Sequence, residues 1–191
     1  MVARWLILPL LISALCGCAG DSPDRIEAGR LPTAVLQPED LAPEFHQFDE
    51  GRLGATEITS NQRADPARFG RIDGWKARYR RAGTPATKGP LVVESRVDLF
   101  EEGDGAADDL AAYARELRRA PWAGERLQVG DLGDAAVGTT FVENRVRYYR
   151  IAWRFENATA LLFANGFDRL FSVGDAVQLA RRQQSRLERA T

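Results

Sequence analysis

Apolar and polar residues alternate over two neighbouring stretches in the first half of the 191-residue chain. Between Trp75 and Arg80 every second residue is apolar and the residues between them are basic, which is the period-two pattern of a half-buried strand. A loop rich in Gly, Pro and Thr follows, and a second alternating run from Leu91 to Leu99 predicts a strand antiparallel to the first. Weaker signals predict a strand or loop near Glu44 to Phe48 and another strand from Ala55 to Ser60.

The second half of the chain carries the pattern of a three-stranded meander. Its strands are predicted over Ala135 to Val142, Val146 to Phe155 and Ala158 to Asn165. The pairs Glu143-Asn144 and Glu156-Asn157 separate these strands and are placed to form tight hairpin turns. A short strand from Arg126 to Val129 is predicted just before the meander.

Two stretches carry helix signals. The first begins at Asp104, whose side chain can cap a helix, and ends at Ala120-Pro121. The apolar stripe of this helix is Leu110, Tyr113, Ala114 and Leu117. The second helix begins with the capping-box pattern Ser172-Val173-Gly174-Asp175 and continues to about Arg189.

The order strand, strand, helix, strands, helix favours an α+β fold, with a single largely antiparallel twisted sheet and two main helices packed on it. The stretches SRVDLFEEGDGA, VGDLGDAAV and LARRQQSRL, in this order of elements, resemble bacterial lipoproteins with a PsbP-like fold, of the LpqN type. This resemblance implies an α/β/α sandwich and a non-enzymatic role in binding ligands or partner proteins. It defines no functional residues.

The N-terminus has the layout of an export signal. A short basic start precedes an apolar run from Trp5 to Leu15, which is shorter than the about 20 residues needed to span a bilayer. Leu15-Cys16-Gly17-Cys18 resembles the bacterial lipobox, which implies that Cys18 receives a diacylglyceryl thioether and becomes the first residue of the mature protein. An ordinary cleaved signal, or an uncleaved anchor, is the alternative.

This N-terminus predicts three regions along the chain. They are a signal peptide over residues 1–17, lipidated Cys18 with a flexible tether over residues 18–33, and a single α+β domain over residues 34–191. Each acyl methylene buried in a bilayer contributes ~0.8 kcal/mol, so two or three chains give a lasting anchor. We therefore expect a lipid-anchored protein that faces outside the cytoplasm, at the cell surface or in the periplasm.

Composition argues against several classes of function. The net charge of −1 at pH 7 argues against general nucleic-acid binding. His46 is the only histidine, which leaves too few soft ligands for a zinc site and gives catalysis by a Ser-His-Asp triad a poorly placed base. The acidic residues between 101 and 109 lack the spacing of a calcium loop and are favoured at a helix N-terminus. We predict no enzymatic activity, no metal and no cofactor.

Four arginines are the candidate binding residues. They are Arg78, Arg80, Arg150 and Arg154. The first two share one face of the earlier alternating strand with Lys76, and the last two share one face of a meander strand. If these faces coincide, the sheet presents guanidinium groups around Tyr148, which suits carboxylate or phosphate groups. The alternative is a self-paired face, because acids of the neighbouring strand such as Glu94 can neutralise arginines opposite them.

Aromatic residues leave a further choice open. At alternating strand positions they either fill a core or line a ligand cavity, and they are Trp75, Tyr79, Tyr149, Trp153, Phe155, Phe163 and Phe167. The leading hypothesis is a membrane-anchored extracytoplasmic lipoprotein that acts as a non-enzymatic binding module for a protein or an amphiphilic or acidic ligand. The alternative is a structural or assembly factor of an envelope complex with no small ligand.

Overall fold

A seven-stranded antiparallel sheet forms the centre of the protein, in a computed structural model that describes residues 25–57, 65–119 and 123–191. The strands are β1 (His46–Arg52), β2 (Arg71–Arg80), β3 (Val92–Phe100), β4 (Glu125–Arg126), β5 (Ala135–Glu143), β6 (Val146–Phe155) and β7 (Ala158–Phe167). Their order across the sheet is β1-β2-β3-β7-β6-β5-β4. The predicted strand pair and the predicted meander are thus both confirmed.

Three helices cover the sheet on both sides: α1 (Leu31–Ala34), α2 (Gly103–Glu116) and α3 (Val173–Glu188). Helices α1 and α3 pack on one side, where Trp153 Nε1 donates to Gln184 Oε1 over 2.7 Å. Helix α2 packs on the other side, where Leu110 contacts Ala152 and Leu161. We call these two sides the α3 face and the α2 face. The predicted α+β fold is confirmed.

Alternation in the strands explains how one sheet can bury both faces. In β6, Tyr149, Ile151 and Trp153 belong to the core under α3, whereas Ala152 belongs to the core under α2. The hairpin that joins β5 to β6 turns at Asn144 and Arg145, whose φ values of 50° and 64° are those of a type I′ turn. This turn lies one residue later than the pair predicted from sequence.

The two long helices begin differently. Ser172 caps α3 as predicted, because its Oγ accepts from the amide of Asp175 and the carboxylate of Asp175 accepts from the amide of Ser172. The prediction that Asp104 caps α2 is wrong, since α2 already begins at Gly103 and Glu102 occupies the cap position without a side-chain hydrogen bond. Asp104 instead lies in the first turn, where the helix dipole favours an acid.

The folded domain begins earlier than residue 34. Ile26 and Leu31 are each 1% exposed and belong to the core, so the predicted tether is wrong from residue 25 onward. The physical reason is a clamp between Ile26 and Asn157: the amide of Ile26 donates to Asn157 Oδ1 over 3.0 Å, and Asn157 Nδ2 donates to the Ile26 carbonyl over 3.4 Å. The predicted signal peptide over 1–17, Cys18 and the tether up to residue 24 lie outside the described residues.

Two predicted strands and one helix end differ from the structure. Residues 55–57 form a turn rather than a strand, and residues 58–60 lie outside the described residues. The strand predicted over 126–129 is the two-residue β4, after which Val129 packs in the core. Helix α2 ends at Glu116, before the predicted stop, and residues 120–122 lie outside the described residues.

A buried ion cluster lies on the α2 face near the start of α2. The carboxylate of Asp98 accepts from Arg71 Nη1 over 2.8 Å and from Arg96 Nε and Nη2 over 2.7 Å each. All three side chains are almost completely buried. Arg71 also donates to the carbonyls of Gly54, Ala55 and Glu57. The cluster therefore fastens the segment after β1 to the middle of the sheet.

We expect Asp98→Asn to destabilise the protein by about 3–5 kcal/mol, because it leaves two buried guanidinium groups without their counter-charge. Urea denaturation measures this loss. Asp134→Asn is the matched control, since Asp134 pairs with Arg154 where both side chains are about one third exposed, and it should change stability by less than about 1 kcal/mol. Equal effects of the two substitutions would contradict this account of the cluster.

Candidate functional site

The sheet register places all four predicted arginines on the α2 face. Arg78 lies opposite Glu94, Glu94 opposite Phe163, and Phe163 opposite Arg150. Three strand spacings of about 4.8 Å therefore separate the backbones of Arg78 and Arg150 by about 14 Å. Arg80 lies in the next row of the same face. The two basic faces therefore coincide, as predicted.

Arg154 belongs to a different part of that face. It is four residues from Arg150 along β6, about 13 Å, and Leu110 of α2 packs on Ala152 between them. Its Nε lies 3.2 Å from Asp134 Oδ2, at the end of the sheet where α2 begins. A cleft of about 260 Å³ there is lined by the carboxylates of Glu101, Glu102, Asp104, Asp134 and Glu156. Arg154 is therefore a paired cation beside acids and does not join the other three.

The other end of the α2 face carries a row of aromatic rings in contact across three strands. The rings of Phe141 and Tyr148 stack with centroids 4.6 Å apart and planes within 5°, and Phe163 lies 6.0 Å from Tyr148. All three side chains are half-buried. We call this region the arginine–aromatic surface, and its members are Phe48, Arg78, Arg80, Phe141, Tyr148, Arg150 and Phe163.

The arginines of this surface lie over aromatic rings. The guanidinium carbons of Arg78 and Arg80 are 5.0 and 5.2 Å from the centre of the Phe48 ring, which is 40% exposed. Arg150 is only 9% exposed and its guanidinium carbon is 4.8 Å from the Phe141 ring. Burial lowers the pKa of Arg150. These cation–π contacts hold the arginines against the rings.

The charges of the surface are only partly neutralised. Arg78 lies 3.2 Å from Glu94 and 3.5 Å from Asp49, and Asp49 also pairs with Lys76 over 3.0 Å. The predicted self-pairing is therefore confirmed for Arg78. Arg80 is exposed and forms no ion pair within the described residues. The surface thus carries the exposed positive charge of Arg80 next to the exposed ring of Phe48.

Sequence patterns found part of this surface. Tyr148 and the two arginines of β2 follow from strand alternation, but Phe48 and Phe141 were not predicted. Phe48 sits at an irregularity of β1, between Gln47 and Asp49, which turns its ring toward the arginines. Phe141 reaches the surface because β5 pairs with β6 so that Phe141 faces Tyr148. The alternation Val137, Thr139, Phe141 is the signal that could have revealed it.

The buried aromatic residues of the α3 face fill the core. Tyr79 donates to the Leu36 carbonyl over 2.8 Å, and Tyr149 donates to the Phe171 carbonyl over 3.1 Å. Trp153 is fully buried and bonded to α3. Because their polar atoms are satisfied inside the protein, these three residues act as core rather than as the lining of a ligand cavity.

The described residues also bear on membrane-spanning segments and metal sites. No helix among the described residues is long and apolar enough to cross a bilayer. In that part of the chain, no group of three or more His, Cys, Asp or Glu side chains is placed to hold a metal ion. His46 lies exposed at the start of β1. The absence of a metal, of a cofactor and of enzymatic activity stay predictions.

Comparison with known proteins gives a similarity of fold. No family model and no curated protein matches the chain. Among solved structures, the extracellular domain of PknH from Mycobacterium tuberculosis is similar, with a TM-score of 0.64 at 12% sequence identity. The similarity covers 87% of this chain and 98% of that one. It shows a shared fold, and the PsbP-like and lipobox resemblances stay predictions.

We expect Glu94 to make stability depend on pH. Burial raises the pKa of Glu94 above its ordinary value of 4.5, against the opposing effect of Arg78, Arg96 and Lys76. A raised folded-state pKa means that the protonated carboxyl stabilises the folded protein, and this stabilisation is lost as pH rises through the folded-state pKa. The stability of Glu94→Gln relative to wild type should therefore increase as pH rises from about 4.5. Urea denaturation at several pH values measures the difference, and a flat or decreasing difference would contradict the prediction.

Proposed function

We propose that the protein is a lipid-anchored, non-enzymatic binding module outside the cytoplasm, and that the arginine–aromatic surface is its contact with an acidic amphiphilic ligand or partner. The observation that carries this proposal is the combination at one end of the α2 face. Stacked rings are left partly exposed there, and Arg80, which lies three strand spacings or about 14 Å from Tyr148 in the register, has no ion pair among the described residues.

The chemistry of this surface suits a ligand with both acidic and apolar groups. Arginine forks bind carboxylate or phosphate groups, and flat aromatic rings provide large contact areas at little cost in conformational entropy. Self-pairing of Arg78 with Glu94 keeps the arginine in place and reduces its own attraction for an anion. Arg80 is therefore the residue expected to contribute most to charge recognition.

Attachment to the membrane is supported by the lipobox pattern that ends at Cys18. A location outside the cytoplasm is supported by that export signal and by the fold shared with an extracellular domain. A second candidate function is a structural or assembly factor without a small ligand. The filled core around Tyr79, Tyr149 and Trp153 favours this second function, because these three side chains pack inside the core and do not line a cavity.

We expect Cys18→Ser to give an unprocessed chain of 191 residues without acyl groups. The wild-type chain should begin at residue 18 and carry the added mass of a diacylglyceryl group, which intact-protein mass spectrometry measures. Cys16→Ser is the matched control and should be processed normally, because Cys16 leaves with the signal peptide. Acylation of Cys18→Ser, or failure of Cys16→Ser to mature, would contradict the anchor.

We expect a photoreactive benzoylphenylalanine at position 148 to crosslink a specific molecule in intact cells, because the Tyr148 ring is part of the exposed aromatic row. Adding Arg80→Glu should reduce the crosslinked product at least tenfold. Arg154→Glu is the matched control and should leave it unchanged, since Arg154 lies beyond α2. If position 148 yields no product, or if Arg154→Glu reduces it as much as Arg80→Glu, the proposed contact is wrong.

A further inference from the structure

Helix α2 covers only part of its face of the sheet. Its apolar residues Leu110, Tyr113 and Leu117 pack on Ala152 and Leu161, so its main contacts are with β3, β5, β6 and β7. The first turns lie over Thr159, whose Oγ1 donates to the Ala106 carbonyl over 3.2 Å. From there the helix crosses toward β5 and leaves the arginine–aromatic surface beside it.

This arrangement leaves a step between the outer side of α2 and the lower sheet surface beside it. A helix with its side chains is about 10–12 Å across, so α2 rises about that far above the neighbouring sheet. The floor beside it runs from β1 across β2, β3 and β7 to β6, which is four strand spacings or about 19 Å long. Phe48 and Arg80 are exposed on this floor, and Tyr148 and Phe163 are half-buried. The step is therefore long enough for a helix or an extended segment that lies across the strands.

We infer that the occupant of this step is an acidic amphipathic segment of a partner protein, about one helix wide, that lies beside α2 and completes the helical layer. This inference rests on the proposed function and specifies its partner. The apolar side of the segment would contact Phe48, Tyr148 and Phe163. Its carboxylates would meet Arg80 and the outer side of Arg78.

Charge fits this occupant. Asp49 and Glu94 already neutralise Lys76 and Arg78, so among the described residues of this floor Arg80 keeps its exposed positive charge, and an acidic partner completes the pairing. Arg78 and Arg80 lie two residues apart on one face of β2, so the acidic residues of the segment are expected at the end that lies over this strand.

The shape of the step distinguishes this partner from a membrane. A flat bilayer surface that touches α2 is held about 10 Å from the floor, because the helix stands between them. The exposed ring of Phe48 therefore cannot reach lipid while α2 rests on the same plane. A protruding segment of a protein has no such restriction.

Peptide display tests the inference with defined probes. The full chain, purified in detergent, selects from two libraries of displayed 16-residue segments with the same acidic content. One library places apolar residues at helical spacing and the other scrambles them. We expect the patterned library to be enriched at least tenfold, with acids concentrated toward one end of the selected segments. Selected segments should bind Arg80→Glu and Tyr148→Ala at least tenfold more weakly, and Arg154→Glu as tightly as wild type.

Charge reversal separates a direct contact from a loss of folding. Segments with Lys in place of the selected acids should bind the Arg80→Glu variant more tightly than they bind the wild-type protein. Equal enrichment of both libraries, or selected segments that bind Arg80→Glu as well as wild type, would overturn the inference. Binding of phosphatidylglycerol vesicles that depends on Arg80 would assign the surface to a membrane instead. A lipid or glycan crosslinked at position 148 would overturn the inference and leave the proposed function standing, whereas no crosslink at all would contradict the proposed function itself.

Discussion

The pairing of Asp98 with two buried arginines is the constraint on which the arrangement of the α2 face depends. Charges of this kind are tolerated in an interior only when each has its partner, because the free energy of desolvation is several kcal/mol per ion. Asp98 lies on β3, Arg96 is two residues before it, and Arg71 comes from the start of β2. These contacts bring together the middle of the sheet and the segment after β1. Helix α2 covers this polar end of the face, and the aromatic end remains open.

The two faces of the sheet use aromatic residues in opposite ways. On the α3 face, the hydroxyl groups of Tyr79 and Tyr149 donate to backbone carbonyls, so the rings are fixed inside a completed core. On the α2 face, Phe141 and Tyr148 stack at the edge of the helical layer and stay half-exposed. Because the side chains of this surface are already ordered by each other, they would lose little conformational entropy on binding the proposed partner.

Strand alternation predicted β3 and the meander to within two residues, and β2 except for its first four residues, because each of these strands buries one regular set of side chains. The same reasoning missed Phe48, whose position depends on an irregularity in strand pairing, and Phe141, whose neighbours come from strands distant in sequence. It also took the segment around Ile26 for a tether, since its Gly and polar content hides a few apolar residues that reach the core. Arg154 was grouped with Arg150 because alternation shows which face a residue shares and says nothing about where a helix crosses that face.

The clamp between Ile26 and Asn157 fixes the end of the sheet at which the described part of the chain begins. Asn157 follows β6 at the turn before β7, whereas Tyr148 lies near the opposite end of β6, seven residues before Phe155 and about 24 Å away along the strand. Any tension applied at Ile26 would therefore act on the end of the sheet that carries the acidic cleft. The arginine–aromatic surface lies at the opposite end of the sheet, away from the hydrogen bonds of this clamp.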